Sequence, residues 1–227
     1  MQPQAGKARE QLIELYEYRL NQPTKANYHR SAYDTEMLGT ITIVSGLPRT
    51  GTSMMMQMLE KGGLDIFTDK ERTADDNNPK GYYEHEAVKT LPSNKNWLLE
   101  ANGKVVKVIA NLLPHLPSRF RYRILFMERD LHEVVASQRK MLGRMGKQTK
   151  EEVYPLGLVQ EFERTLQKVK AWAARQSNVE ILYVQHRDVI TNPFEQALYI
   201  NDFLGYEVLP ELMAGVVDGK LYRERVS

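Results

Sequence analysis

A β-branched run, a glycine-framed loop and a helical pattern follow one another without a break in residues 40–61, TITIVSGLPRTGTSMMMQMLEK. The run at 40–45 is rich in β-branched residues and lies between glycines, which is typical of a buried strand. The helical pattern from Thr52 ends at a pair of glycines after Lys61, where a helix is expected to stop. A strand that leads through glycines into a helix predicts a βαβ protein with a largely parallel sheet.

Further strand patterns alternate with helical patterns along the rest of the chain. Strands are predicted at 104–109, 122–127 and 179–184, and helices at 130–144, 158–176 and 194–204. The sequence therefore predicts an α/β fold of the P-loop type, a parallel sheet of four or five strands with helices on both faces. Ligands bind beyond the carboxyl ends of such strands, which brings together the loops 46–53, 110–118 and 128–137.

Length and composition favour one globular domain over residues 1–227. We expect residues 1–38 to form an N-terminal helical extension, whose amphipathic segment 7–21 would permit a homodimer. The net charge of +2 gives no general attraction to nucleic acid, and the absence of cysteine excludes thiolate chemistry and cysteine-bound metals. With no signal-peptide pattern and no run long enough for a membrane span, we expect a cytoplasmic protein.

The loop SGLPRTGTS, residues 45–53, has the glycine frame of a phosphate-binding P-loop, with Thr52 where the lysine belongs. Gly46 and Gly51 let backbone N–H groups converge on an anion, and the following helix adds its positive end. In nucleoside triphosphatases the lysine and a metal-binding aspartate hold the terminal phosphates. Because both are missing here, ATP hydrolysis is disfavoured.

Arg49 lies inside this loop and offers another arrangement. A guanidinium can bracket two anionic oxygens without a metal ion, which suits a phosphosulfate whose leaving phosphate gains charge as the sulfur–oxygen bond breaks. We therefore predict Arg49 as a catalytic residue of a metal-free site. The donor-binding residues predicted from the same loop are Pro48, Arg49, Thr50, Gly51, Thr52 and Ser53.

The loop resembles the 5′-phosphosulfate loop of sulfotransferases that use 3′-phosphoadenosine-5′-phosphosulfate (PAPS), in the Pro-Arg form of the bacterial and tyrosylprotein branches. The segment FMERDLHEVVASQ, residues 126–138, resembles the second half of the family signature, which implies that Arg129 and Ser137 bind the 3′-phosphate. Residues 181–205 are similar to the family's late strand–loop–helix. A basic segment near the end of the chain implies Arg223 as a further contact to the 3′-phosphate.

The resemblance implies transfer of a sulfuryl group from PAPS to an unidentified hydroxyl or amine acceptor. Cytosolic members use a histidine as base in a K-T-H stretch, and the matching VKVIAN, residues 106–111, keeps Lys107 but has Ile109 at that position. Other branches use a glutamate, which implies Glu84 as the base, with Glu86, His85 and Glu71 as the next candidates. Lys107 is expected to meet the sulfuryl oxygens.

Two other classes of protein remain open from the sequence. One is a nucleotide kinase or triphosphatase with a degenerate loop, and the other is a non-catalytic nucleotide-binding module of the same fold. The string HRDVITN, residues 186–192, is similar to a kinase catalytic loop, but its aspartate-to-asparagine spacing is one residue short and no G-x-G-x-x-G precedes it. The kinase interpretation of that string is therefore disfavoured.

Overall fold

The computed structural model describes residues 37–69, 81–144 and 155–218. The predicted N-terminal helix, Glu71 and Arg223 lie outside these ranges. Five strands occur in the described part of the chain: β1 (Thr40–Gly46), β2 (Ile66–Phe67), β3 (Val105–Lys107), β4 (Arg121–Glu128) and β5 (Val179–Gln185).

The five strands form one sheet in the order β2-β3-β1-β4-β5, and every neighbouring pair is parallel. This confirms the predicted α/β fold. The edge strand β2 was not predicted, because two residues are too short to show a period. The strand predicted at 104–109 is shorter than expected, since the chain turns at Ile109 into a 3₁₀ helix, Ala110–His115.

Six α-helices occur in the described ranges: α1 (Thr52–Lys61), α2 (Leu131–Arg144), α3 (Pro155–Ala173), α4 (His186–Thr191), α5 (Pro193–Phe203) and α6 (Pro210–Ala214). Two more 3₁₀ helices span Glu86–Thr90 and Asn96–Leu99. The long helices begin and end within about three residues of the predicted positions. The short helix α4 replaces the expected loop after β5 and buries Val189 in the core.

Apolar side chains cover both faces of the sheet. On β1, Ile41 and Ile43 face one core together with Val169 of α3, while Val44 faces a second core. The second core contains methionines of α1, with Ile200 of α5 and Met213 of α6. Helices therefore lie on both faces of the sheet, as predicted. Each fully buried side chain of this size contributes about 1.5–3 kcal/mol to the free energy of unfolding.

The strand order fixes where a ligand can approach. From β1 the chain moves to β2 and β3 on one side and then crosses back to β4 on the other side. The loops that follow β1 and β4 thus diverge at a switch point, the usual ligand crevice of a parallel sheet. No helix in the described ranges is long and apolar enough to cross a bilayer.

Gly46 at the end of β1 cannot be replaced without strain. Its φ of +152° is unfavourable for other residues, and a Cβ there would lie 2.5 Å from Thr50 Oγ1 and 2.7 Å from the Met127 carbonyl oxygen. We expect Gly46→Ala to lower the free energy of unfolding by about 1–3 kcal/mol in urea denaturation. Gly143→Ala is the control, because a Cβ there meets nothing within 4 Å. Equal losses of unfolding free energy in the two variants would show that position 46 has no special need for glycine.

Candidate anion-binding and catalytic site

The loop after β1 is held in shape by left-handed backbone and by one internal side-chain bond. Arg49 has φ of +70° and Gly51 has φ of +95°. Thr50 is buried, and its Oγ1 donates a hydrogen bond of 2.8 Å to the Leu47 carbonyl oxygen. The side chain of Thr50 therefore shapes the loop, and its predicted contact with the donor stays a prediction.

The loop ends at the N-terminus of α1. Gly51 caps the helix without a side-chain hydrogen bond, and its carbonyl accepts the first helical bond from the Met55 amide. The first backbone N–H groups of a helix carry partial positive charge and suit an anion. Thr52 and Ser53 lie in this first turn, and Pro48 is exposed at the outside of the loop.

Arg49 joins the glycine loop to the second predicted motif. Its Nε donates a hydrogen bond of 3.0 Å to Ser137 Oγ on α2. Arg129, at the end of β4, donates from Nη1 to the Arg49 carbonyl oxygen at 3.1 Å. Three residues that the sequence predicted as donor contacts, far apart along the chain, thus lie in one network.

Arg129 is also held by a residue that the sequence analysis did not select. Its Nε donates to Glu133 Oε2 at 2.8 Å, and only 9% of the Arg129 side chain and 5% of the Glu133 side chain are exposed. Glu133 and Ser137 are four residues apart, so they share one face of α2. That spacing, Arg129 then Glu133 then Ser137, was a signal available in the sequence.

His186 is the second residue that the sequence analysis missed, apart from its place in the kinase-like string. It is buried at the start of α4, and a Cβ on Gly51 would lie 2.5 Å from its Cδ2. Burial, and then the nearby Arg129 cation, lower the pKa of His186 to about 4, against an opposing effect of Glu133. The imidazole is therefore neutral at physiological pH beneath the loop.

A second cluster lies on the β3 side of β1. Lys107 Nζ donates to the Tyr82 carbonyl oxygen at 2.8 Å and to Ser53 Oγ at 3.2 Å, and it lies 3.3 Å from Glu84 Oε1. The Lys107 side chain is 8% exposed, whereas that of Glu84 is 31% exposed. The Glu84 carbonyl also accepts from Thr68 Oγ1 at 2.8 Å. The predicted pair of Lys107 and Glu84 thus meets the first turn of α1.

The other base candidates in the described ranges have different surroundings. Glu86 is exposed and pairs with Lys89. His85 stacks on Phe67 at 4.2 Å, and its Nδ1 accepts from the Ala87 amide. This bond makes His85 the cap of the 3₁₀ helix that begins at Glu86.

Tyr83, beside Glu84 in the sequence, bonds to a side chain of α1. Its hydroxyl donates to Glu60 Oε2 at 2.7 Å, and burial together with that carboxylate raises the pKa of Tyr83. A cavity of about 260 Å³ opens at the ends of β1, β4 and β5, lined by Leu47, Thr50, Met127, Glu128, Arg129, Asp130, Leu131, Leu166 and Gln185. Among the described residues, no three His, Asp or Glu side chains are grouped to hold a metal ion.

The fold and this crevice define an α/β protein whose strand ends, with the segments that follow them, carry arginine, lysine and hydroxyl side chains. Residues 68–211, more than half of the chain, match the sequence profile of the sulfotransferase family, and the chain belongs to that family. The match begins after the glycine loop and therefore does not cover residues 46–53. Only the geometry described above supports a role for that loop. No protein of curated function matches the chain by sequence.

Solved structures include sulfotransferase domains of similar fold. The sulfotransferase domain from the curacin biosynthetic pathway superposes with a TM-score of 0.50 and 14% sequence identity, over 84% of this chain and 93% of that one. The sulfotransferase domain from the Synechococcus PCC 7002 olefin synthase gives a TM-score of 0.47 and 12% identity, over 84% and 81%. The first of these shows that the chain shares its fold with a solved sulfotransferase domain.

The lowered pKa of His186 predicts a loss of stability in acid. Between pH 6.5 and about 4 the unfolded chain binds a proton that the folded protein excludes, so stability falls as pH falls through this range. The full contribution of His186 to the free energy of unfolding is about 3 kcal/mol. It is present above pH 6.5 and is lost as the pH falls through about 4. Melting temperatures measured from pH 8 to pH 4 should fall less steeply in His186→Gln than in the wild type.

The matched control for this measurement is His132→Gln, which changes an exposed histidine of α2. Its melting curve should follow the wild type across the whole range. Parallel pH dependences for wild type and His186→Gln would show that the buried imidazole does not carry the acid sensitivity.

Proposed function

We propose that this chain is a cytoplasmic sulfotransferase that moves a sulfuryl group from PAPS to a hydroxyl or amine acceptor. The observation that carries the proposal is the hydrogen bond from Arg49 Nε to Ser137 Oγ, with Arg129 bonded to the Arg49 carbonyl. These bonds bring the predicted phosphosulfate loop and the predicted 3′-phosphate motif to one crevice. A donor with two separate anionic groups, such as PAPS, fits that arrangement.

The chemistry of the residues supports this donor. Arg49, Arg129 and Lys107 are cations, and Ser53 and Ser137 add hydroxyl groups that donate to anions. A Cβ at Gly51 would lie 2.5 Å from His186 Cδ2, so a glycine is needed there for the loop to pack against the imidazole. Converging N–H groups at a helix N-terminus complete a cradle for a phosphosulfate.

In the proposed reaction, Arg49, Arg129 and Ser137 would act on the donor. When bound, PAPS supplies the sulfuryl group, and its sulfur–oxygen bond to the 5′-phosphate breaks as the acceptor oxygen or nitrogen bonds to sulfur. Arg49 stabilises the electron pair that stays on the leaving phosphate, without reorganisation at the moment of reaction. Arg129 and Ser137 bind the 3′-phosphate and so fix the position of the donor relative to the glycine loop.

The cluster on the β3 side would serve the acceptor. Glu84 is the exposed end of that cluster and takes the proton from the acceptor hydroxyl or amine. Lys107 is fixed by the Tyr82 carbonyl and by Ser53, so its ammonium lies beside the first turn of α1, where it donates to the sulfuryl oxygens.

The donor assignment predicts a preference for a 3′-phosphate. Adenosine 3′,5′-bisphosphate at about 100 times its Kd should stabilise the protein by about 2.7 kcal/mol, a rise in Tm of roughly 5–10 °C, whereas AMP and ATP at the same concentration should give much smaller rises. Arg129→Lys should abolish most of this preference, because an ammonium cannot grip a phosphate with two parallel bonds. Differential scanning fluorimetry measures all three ligands.

Arg139→Lys on the exposed side of α2 is the control and should keep the wild-type preference. Equal shifts for the three ligands in the wild type would contradict PAPS as the donor. A larger shift with ATP and magnesium would support a kinase or triphosphatase instead.

The assignment of the base predicts a loss of turnover without a loss of donor affinity. Glu84→Gln should lower kcat about 10²–10⁴-fold, because the amide cannot accept the acceptor's proton. Transfer of labelled sulfate from PAPS to phenol, alcohol and amine acceptors measures the rate, and titration with adenosine 3′,5′-bisphosphate measures the affinity. Glu86→Gln, at the exposed neighbouring carboxylate, should keep the rate. The reverse result would assign the base to Glu86.

A further inference from the structure

The inner face of α2 carries a carboxylate directly beside the proposed phosphate-binding arginine. Arg129, Glu133 and Ser137 are spaced four residues apart, and the first two form an ion pair with almost no exposure. A buried ion pair of this kind is weak evidence for stability, because desolvation of both charges offsets their attraction. The carboxylate also opposes the binding of an anion next to it. Its presence there calls for another explanation.

The contacts of Glu133 supply one. Its carboxylate accepts from Arg129 Nε at 2.8 Å, while Arg129 Nη1 donates to the Arg49 carbonyl oxygen at 3.1 Å. Two hydrogen bonds from two different nitrogens fix the plane of a guanidinium. Phosphate recognition by arginine depends on that plane, since it uses two parallel N–H bonds.

The same contacts reach the glycine loop. Arg49 holds a left-handed backbone conformation, and its carbonyl is the acceptor for Arg129. Its side chain returns to Ser137, one helical turn beyond Glu133. Glu133 therefore stands at one end of a chain of hydrogen bonds that runs through Arg129 and Arg49 and returns to the same face of α2.

We propose that Glu133 is a positioning residue that confers selectivity for the 3′-phosphate, by fixing the plane of the Arg129 guanidinium. The inference rests on the proposed function, because it takes the 3′-phosphate of the donor as the ligand of Arg129. For this role the side chain at position 133 must be long enough for its oxygen to accept from Arg129 Nε. It does not need a negative charge.

Two conservative variants separate reach from charge. Glu133→Gln loses the charge but keeps an oxygen that can accept from Arg129 Nε. Glu133→Asp keeps the charge but withdraws it by one carbon–carbon bond, about 1.5 Å. Isothermal titration calorimetry with adenosine 3′,5′-bisphosphate and with AMP gives the ratio of the two Kd values for each variant. Glu163→Gln, an exposed carboxylate on α3, is the control.

We expect Glu133→Asp to reduce the preference for the bisphosphate at least about tenfold, the usual effect of losing a hydrogen bond to a charged group. Glu133→Gln should stay within about threefold of the wild type. The opposite order, or unchanged ratios in both variants, would overturn the positioning role while leaving the proposed function intact. A wild type that binds both ligands equally would overturn both proposals.

Discussion

The hydrogen bond from Arg129 Nη1 to the Arg49 carbonyl oxygen is the contact on which the site depends. It joins loops that leave adjacent strands, and β1 and β4 pair in parallel from Thr40 opposite Arg121 to Gly46 opposite Met127. That pairing places the ends of both strands at one level of the sheet. Because the sheet aligns the strand ends, two arginines separated by 80 residues come into contact.

Burying the Arg129 guanidinium beside the glycine loop, which carries a second arginine, costs electrostatic free energy in the absence of an anion. Glu133 offsets part of this cost at Arg129, and Ser137 gives Arg49 an acceptor. The neutral state of His186 avoids adding a third cation beside them. The site is therefore built with its donors already in position, the condition under which electrostatic stabilisation of a developing charge is most effective.

The sequence predicted the features that depend on local pattern or on strand order. The long strands were found from their β-branched runs, and Arg49, Arg129 and Ser137 could be grouped because parallel strands end at one edge. Glu133 was missed although it shares a helical spacing with Arg129 and Ser137, and His186 was missed because its importance comes from burial against another segment. The bond from the Tyr83 hydroxyl to Glu60 is a tertiary contact of the same kind, which no local pattern contains.

The glycine loop lies between two strands, β3 and β4, whose ends carry different side chains. On the β4 side lie Arg129 and Glu133, and on the β3 side Lys107 and Glu84 are connected to the loop through Ser53. A transferred group held over the first turn of α1 would thus have donor-binding residues on one side and a carboxylate on the other. Transfer between oxygens in line depends mainly on such placement. In the proposed reaction, the strand order β3-β1-β4 would therefore place the leaving group and the acceptor on opposite sides of the loop, each beside charged side chains.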